Sequence, residues 1–172
     1  FGAAHIVTAV NKVGHGNQPY ACATVGMLNN KPNSRNTIPG SVFLTVDLRH
    51  PEDKVLSKMA AEVKAAAEEA CKANGLELDF KEIWYSPPVK FNADCVAAVK
   101  QGAEELGFPA MTILSGAGPG ACYVNRVAPT AMVFIPCENG ISHNEVENAT
   151  KGDCAAGCDV LLRAIVERAN AV

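Results

Sequence analysis

The chain has 172 residues, 48% of them hydrophobic and 19% charged, which is typical of a packed globular protein and argues against a disordered one. A net charge of −3, with no run of Lys or Arg longer than two residues, argues against nucleic acid or an anionic membrane as a partner. No apolar stretch approaches the roughly 20 residues that a membrane helix needs.

The start of the sequence is unusual, because Phe1 opens the chain inside a helix-like apolar pattern, without Met and without the basic segment of a secretory signal. We therefore expect a fragment, a processed chain or a truncated form of a longer protein.

Seven cysteines are scattered along the chain without any CxxC pair. Cys154 and Cys158 lie one helical turn apart, which alone is a weak signal for a metal or a disulfide. We expect reduced thiols in a cytoplasmic protein.

Up to residue 88, the hydrophobic pattern predicts the order helix, strand, strand, helix, strand. The predicted helices and strands cover 2–13, 20–28, 42–49, a helix that starts with Pro51 at its first position and ends at Gly75, and 76–81. The buried stripe of the second helix comprises Leu56, Met59, Val63, Ala66 and Ala70. This order predicts a small α+β domain, in which helices cover one face of an antiparallel sheet.

The first two predicted strands carry different side chains on their two faces, since successive residues of a strand alternate. In the first strand, Cys22, Thr24 and Gly26 alternate against Ala23, Val25 and Met27. In the second, one face carries Val42, Leu44, Val46 and Leu48, and the other carries Phe43, Thr45, Asp47 and Arg49.

Ser86-Pro87-Pro88 is the best domain boundary in the chain, because the pattern changes beyond it. Asn92 can cap a helix that ends at Gly107, and the segments that follow are short buried strands at 110–114 and 131–135 and an amphipathic helix at 153–170. Short buried strands between helices are typical of a parallel sheet that is covered on both faces. Too few strands are present to complete such a sheet.

His143 has the most suggestive position of the four histidines, in the loop 136–145 that leaves a predicted buried strand. The carboxyl ends of parallel strands carry the sites of α/β proteins, and a neutral imidazole there can bind a metal. Position alone still favours an ordinary loop histidine. The other three, His5, His15 and His50, are interpreted as surface or boundary residues.

The glycine-rich segment 115–120 also follows a predicted buried strand. Its glycines would let the backbone approach a ligand, and N–H groups at a following helix start would favour an anion or a polarised carbonyl. The spacing fits neither a Walker nor a Rossmann pattern, so a plain strand-to-helix turn is an equal alternative.

Arg49 and Asn36 are ambiguous from spacing alone. Arg49 would be an ordinary charge on a solvated face, paired with Asp47, or a planar fork for a carboxylate if that face lined a cleft. Asn36 precedes Ile38-Pro39-Gly40 and can be a simple turn residue.

Taken together, these segments resemble the hydantoinase/carbamoylase amidohydrolases, a group that includes N-carbamoyl-L-amino-acid hydrolases, β-ureidopropionases and allantoate amidohydrolases. Residues 31–40 (KPNSRNTIPG) and 43–50 (FLTVDLRH) resemble the family's PNxxNxIPG…DLRH stretch. Its SGAG loop, its PC..GISHN loop and its tail are matched by Ser115–Gly118, Pro136–Asn144 and Ala155–Leu162. The matches follow the family's order across almost the whole chain.

The resemblance implies a fold of mixed α/β and α+β class. Residues 1–88 would be a ferredoxin-like α+β lid and dimerisation domain of a homodimer. Residues 89–172 would be an incomplete α/β portion, the C-terminal part of a metal-dependent catalytic domain.

The resemblance also implies roles for individual residues. His143 matches a ligand of the second of two divalent metal ions, which would be Zn, Mn, Co or Ni in the complete enzyme. Asn36 and Arg49 match residues that hold the substrate carboxylate and reach into the partner subunit's active site. Gly118 matches a backbone contact to the substrate.

Two departures from the family pattern affect the expected activity. Pro119-Gly120 stand where the family usually has His-Asp, which implies altered specificity or weakened activity. In the family, the other metal ligands and the Glu general base come from an N-terminal half that these 172 residues do not include. We therefore identify no catalytic residue in this chain. We expect it to bind no metal tightly and to be inactive alone.

Three hypotheses for function follow. The leading one is part of an amidohydrolase that cleaves the carbamoyl C–N bond of an N-carbamoyl amino acid or related ureido acid. The second is a non-catalytic dimerisation or small-molecule-binding module derived from the same family. The third is a related metallopeptidase or aminoacylase, against which Arg49 with Asn36 favours the carbamoylase branch.

Overall fold

The computed structural model describes residues 1–171, and the chain divides into two compact units, Phe1–Pro88 and Val89–Val172. Helices and a sheet are both present, in agreement with the mixed fold class predicted from the sequence. Among the described residues, no helix is both long enough and apolar enough to cross a membrane.

The first unit is a β-hairpin covered by two helices. Along the chain it comprises α1 (Gly2–Gly16), β1 (Cys22–Lys31), β2 (Ser41–Arg49) and α2 (Asp53–Ala73). The two strands pair antiparallel, and both helices pack against the same face of the sheet. This face is the one that the alternation in β2 assigns to its aliphatic side chains.

The core of the first unit lies between the helices and the sheet. Ile6 and Val10 of α1 meet a buried stripe on α2 that comprises Val63, Ala67, Ala70 and Cys71. On the side of the sheet, partly buried side chains of the hairpin pack against this core: Ala23, Val25, Leu44, Val46 and Leu48. In the predicted stripe of α2, Met59, Val63 and Ala70 are buried as expected, whereas Leu56 and Ala66 are half-buried.

A β-bulge at Gly26 changes which side chains share a face. Val25 pairs with Val46 but Met27 pairs with Thr45, so β1 has one extra residue at this point. Directly opposed residues of a ladder lie on one face, so Met27 joins the face of Thr45 and Asp47. The prediction that Met27 shares the face of Ala23 and Val25 was therefore wrong, because simple alternation takes no account of a bulge.

Two further predictions for the first unit were wrong. Helix α2 begins at Asp53 with Glu52 as its N-cap, so Pro51 lies before the helix and not at its first position. The N–H of Glu52 donates to Nδ1 of His50 at 3.0 Å, so residues 50–52 form a local turn before the helix. Residues 76–81 form no strand, because no described segment pairs with their backbone.

Gly75 and Gly107 end their helices in the same way, as the sequence predicts. Each has a positive φ, 64° and 73°, which favours glycine. The N–H of the residue that follows each glycine reaches back to the third-last helical carbonyl, from Leu76 to Cys71 at 2.9 Å and from Phe108 to Ala103 at 2.9 Å.

The second unit consists of α3 (Ala93–Glu105), the single-turn α4 (Ala121–Val124), a 3₁₀ turn (Glu138–Gly140) and α5 (Lys151–Asn170). Helices α3 and α5 pack closely at Gly102, where a Cβ would lie 3.3 Å from the carbonyl oxygen of Val160. Side-chain caps start both helices: Asn92 accepts the N–H of Cys95, as predicted, and Thr150 accepts that of Asp153.

The two buried strands predicted for the second unit are absent from its described residues. Neither 110–114 nor 131–135 forms a ladder, and Met111 and Leu114 are largely exposed. A parallel strand exists only where neighbouring strands satisfy its N–H and C=O groups, and no described segment of this chain does so. Helix α5 also begins at Lys151, two residues before the predicted start.

Candidate functional site

Arg49 lies at the end of β2 on the face of the sheet that points away from the core. Its Nε donates to Oδ1 of Asp47 at 2.7 Å and its Nη2 donates to Oδ2 of the same carboxylate at 3.3 Å. The hydrogen bond to Asp47, followed by that residue's negative charge, raises the pKa of Arg49 above its ordinary value, so it stays cationic. The structure thus shows the pair with Asp47 that was expected for Arg49 on a solvated face, and this pair orients the guanidinium.

Asn36 lies in the loop that joins the two strands. The loop is closed where the N–H of Gly40 donates to the carbonyl of Lys31 at 2.8 Å. Within it, the hydroxyl of Ser34 donates to Oδ1 of Asn36 at 3.0 Å, and both side chains are exposed.

The loop that carries Asn36 joins the opposite end of β2 from Arg49. Strand β2 has nine residues, and at ~3.3 Å per residue its ends lie roughly 26 Å apart. Asn36 itself lies within the nine-residue loop 32–40, so the length of the strand does not fix its distance from Arg49. A shared role in holding one carboxylate stays a prediction.

His143 is exposed in the loop between the 3₁₀ turn and α5. Its φ of 56° lies in the left-handed region, which is uncommon for a residue with a side chain. Its own N–H donates to the carboxylate of Glu147 at 2.6 Å, and its Nδ1 lies 3.1 Å from the hydroxyl of Ser142. Glu147 therefore stabilises the unusual backbone conformation that carries the imidazole.

The base of the same loop is closed by two hydrogen bonds between Glu138 and Asn148. The N–H of Glu138 donates to the carbonyl of Asn148 at 2.7 Å, and the Asn148 amide donates to the Glu138 carboxylate at 2.9 Å. These two residues and Glu147 were not predicted from the sequence. No sequence signal marks Glu147, because its bond depends on the left-handed conformation of His143.

The residues present do not fit a two-metal site. Within residues 1–171, no three side chains of His, Cys, Asp or Glu come together as a group that could hold a metal ion. A dinuclear centre needs several convergent ligands, and His143 supplies at most one. No chemical step is therefore assigned to a metal held by this chain.

Gly118 lies in an exposed turn that begins at Ser115. The hydroxyl of Ser115 accepts the N–H of Ala117 at 3.2 Å, which folds the segment back on itself. A Cβ built on Gly118 would meet no atom within 4 Å, so packing within the chain does not require glycine there. The helix that follows, α4, has only four residues.

The sequence matches the Peptidase family M20/M25/M40 over residues 2–167. The chain belongs to this family. The resemblance to the hydantoinase/carbamoylase amidohydrolases is confirmed by its relatives and by solved structures.

Several relatives carry the name of an amidohydrolase. An N-carbamoyl-L-amino-acid amidohydrolase from Rhizobium meliloti is 41% identical over 169 residues, which cover 98% of this chain and 41% of that protein. An allantoate amidohydrolase from Escherichia coli strain K12 is 32% identical over 139 residues, which cover 80% of this chain and 34% of that protein.

Solved structures give the same relationship. The crystal structure of an amidase of the hydantoinase/carbamoylase family from Burkholderia multivorans superposes with a TM-score of 0.92 at 50% identity, covering 98% of this chain and 41% of that one. The chain therefore spans about two fifths of the length of the proteins that it matches.

Proposed function

We propose that this chain forms the substrate-recognition and C-terminal portion of a metal-dependent amidohydrolase. The enzyme would hydrolyse the carbamoyl C–N bond of an N-carbamoyl amino acid or a related ureido acid. Water adds to the carbamoyl carbon and the bond to the amino-acid nitrogen breaks, which yields the amino acid, carbon dioxide and ammonia.

The main support for this proposal is the similarity to the Burkholderia multivorans amidase. The two chains are 50% identical and superpose with a TM-score of 0.92 over 98% of this chain. Similarity at this level extends through the segments that contain all four predicted site residues: Asn36, Arg49, Gly118 and His143. The N-carbamoyl-L-amino-acid amidohydrolase from Rhizobium meliloti supports the same substrate class.

In this proposal Arg49 binds the substrate carboxylate. Its guanidinium is a planar fork that matches a carboxylate with two hydrogen bonds, and like every arginine it is charged at physiological pH. Asn36 would contribute amide hydrogen bonds to the substrate, and the backbone at Gly118 would approach it closely, since no side chain stands in the way.

The metal ions are proposed to be held mainly by residues outside these 172. His143 would be the single ligand that this chain contributes, on a loop stabilised by Glu138, Glu147 and Asn148. Two divalent ions, Zn, Mn, Co or Ni, would activate the attacking water when bound.

We also propose that the first unit acts as a ferredoxin-like lid and mediates a homodimer. The hairpin with two helices on one face leaves the other face, which carries Arg49, exposed. A lid of this kind would bring that face to the substrate.

A chimeric enzyme tests the proposed function. The 169-residue segment of the Rhizobium meliloti relative that aligns with this chain is replaced by the present sequence. Ammonia release is then measured with N-carbamoyl-L-amino acids and with allantoate. We expect hydrolysis of at least one N-carbamoyl-L-amino acid, and sedimentation as a dimer.

The matched control is the same chimera with His143→Ala. We expect at least about 100-fold lower activity, since even partners of metal ligands cost 10–100-fold when removed. A chimera that folds and dimerises but hydrolyses none of these substrates would contradict the proposed function. It would favour the second candidate, a non-catalytic binding or dimerisation module.

That second candidate has its own supporting observation. Pro119 stands where the resemblance to the hydantoinase/carbamoylase amidohydrolases implies a histidine. A third candidate, a metallopeptidase or aminoacylase of the same family, is tested by including dipeptides and N-acetyl amino acids in the same assay.

A further inference from the structure

The ion pair between Asp47 and Arg49 contributes little to folding. Its side chains are 53% and 51% exposed, and ion pairs in such positions have small effects on stability because water screens them. Yet the geometry is well formed, with Nε and Nη2 of Arg49 bonded to the two oxygens of one carboxylate at 2.7 and 3.3 Å. The effect of this pair is therefore to be sought in the orientation of the guanidinium and not in stability.

The backbone beneath this pair is anchored to the core of the first unit. Asp47 and Arg49 alternate along β2 with Val46 and Leu48, which pack into the core of the first unit. Across the ladder they face Thr24 and Cys22, whose side chains are short. The two residues are thus fixed on the same face, two positions apart. At this spacing the Asp47 carboxylate reaches the edge of the guanidinium formed by Nε and Nη2.

The bonds to Asp47 fix the direction of the remaining N–H donors of Arg49. Arginine has five N–H donors in one plane, so a carboxylate bonded to Nε and one Nη fixes the orientation of that plane. A second carboxylate that approaches in the same plane then meets donors whose direction is already set. The rotational freedom of a long side chain has been removed before the ligand arrives.

We propose that Asp47 is a positioning residue for carboxylate recognition by Arg49. By fixing the guanidinium plane and offsetting part of its charge, Asp47 makes this face select a planar carboxylate by hydrogen-bond geometry and not any anion by charge. This inference rests on the proposed function, because it assumes that Arg49 binds the substrate carboxylate.

The chain contains a matched control for this ion pair. Lys81 and Asp79 are also two residues apart, their Nζ and Oδ2 atoms are also 2.7 Å apart, and they are exposed to 72% and 76%. A lysine ammonium has no planar fork to orient. Asp79→Ala therefore removes an equivalent surface acid from the first unit without affecting carboxylate geometry.

The experiment compares Asp47→Ala, Asp47→Asn and Asp79→Ala in the chimeric enzyme, with an N-carbamoyl-L-amino acid and its uncharged carboxamide as substrates. For Asp47→Ala we expect KM for the carboxylate substrate to rise about tenfold, with kcat changed less than about twofold, because the guanidinium is no longer preorganised to bind the carboxylate. KM for the carboxamide should not change.

Asp47→Asn keeps an amide oxygen that can accept the Nε proton, so it should restore KM to within about threefold of the original value. Asp79→Ala should match the parent with both substrates. Exchange of the Arg49 Nε proton with water, followed by NMR in the 172-residue chain, should become faster in Asp47→Ala and stay unchanged in Asp79→Ala.

An active chimera in which Asp47→Ala leaves KM unchanged would overturn this inference and leave the proposed function intact. An equal loss with both substrates would also overturn it, since a structural defect does not distinguish a carboxylate from an amide. A chimera with no activity on any N-carbamoyl amino acid would overturn the proposed function and this inference with it.

Discussion

The two units differ in how their candidate residues are supported. In the first, Arg49 stands on a strand whose other face is packed against two helices, and Asp47 orients it. In the second, His143 and Gly118 lie in exposed loops, and the described segments predicted to be strands beneath them form no ladder. The first unit thus holds its candidate residue in place with its own core and one neighbouring carboxylate.

This difference separates two kinds of contribution to a site. A carboxylate-binding arginine needs a fixed backbone and one partner, and both are available within a hairpin of two strands. A metal centre needs several ligands on a rigid frame, and the second unit offers one histidine on a loop.

The largest effect is expected from Met59→Ala in the first unit. Met59 is fully buried in α2, so its truncation should lower the free energy of opening of that helix by about 2–5 kcal/mol. Hydrogen exchange of the α2 amides measures this energy. The matched control is Met27→Ala, on the outer face and 48% exposed, which should have a much smaller effect. Equal effects of the two substitutions would contradict the described core.

A smaller effect is expected from Gly102→Ala in the second unit. The new Cβ would lie 3.2 Å from Cβ of Arg163 and 3.3 Å from the carbonyl oxygen of Val160, so α3 and α5 must separate slightly. We expect the free energy of opening of α3 and α5, measured by hydrogen exchange of their amides, to fall by about 1–2 kcal/mol. The reason is that overpacking outweighs the better helix propensity of alanine.

Gly152→Ala is the control for that substitution, because its Cβ would have only an ordinary contact, 3.7 Å from the hydroxyl of Thr150. It should leave the protection of α5 unchanged or slightly raised. Greater protection in Gly102→Ala would mean that α3 and α5 are not in close contact at this point.

The smallest effect is expected from adding metal to the 172-residue chain. Calorimetric titration with Mn²⁺, which prefers oxygen and nitrogen ligands over thiolates, should reveal no stoichiometric binding of two ions. His143→Ala should give the same titration curve. Tight binding of two Mn²⁺ ions per chain would refute the division of roles between the two units.

Local signals in the sequence predicted much of this structure. The helix ends at Gly75 and Gly107 and the cap at Asn92 depend on a few neighbouring residues, and the structure has all three. The alternation in β2 also predicted that Asp47 and Arg49 share the outer face, because side-chain direction in a strand follows from position alone.

Features that depend on distant partners were not predictable in this way. The segments 76–81, 110–114 and 131–135 have the composition of strands, but a strand forms only where another segment pairs with it. The bulge at Gly26 is set by the register between two strands, so alternation within one strand misplaced Met27. The bond from the backbone of His143 to Glu147 depends on the left-handed conformation of His143, which no sequence pattern marks.

The most direct test of the central claim, that this chain recognises the substrate carboxylate through Arg49, is Arg49→Ala in the chimeric enzyme. We expect kcat/KM for an N-carbamoyl-L-amino acid to fall about 100-fold or more, as for loss of one charge-assisted bidentate contact. The carboxamide substrate should be nearly unaffected. Lys64→Ala, which removes an exposed cation from α2, is the control and should match the parent. An unchanged kcat/KM in Arg49→Ala would contradict the claim.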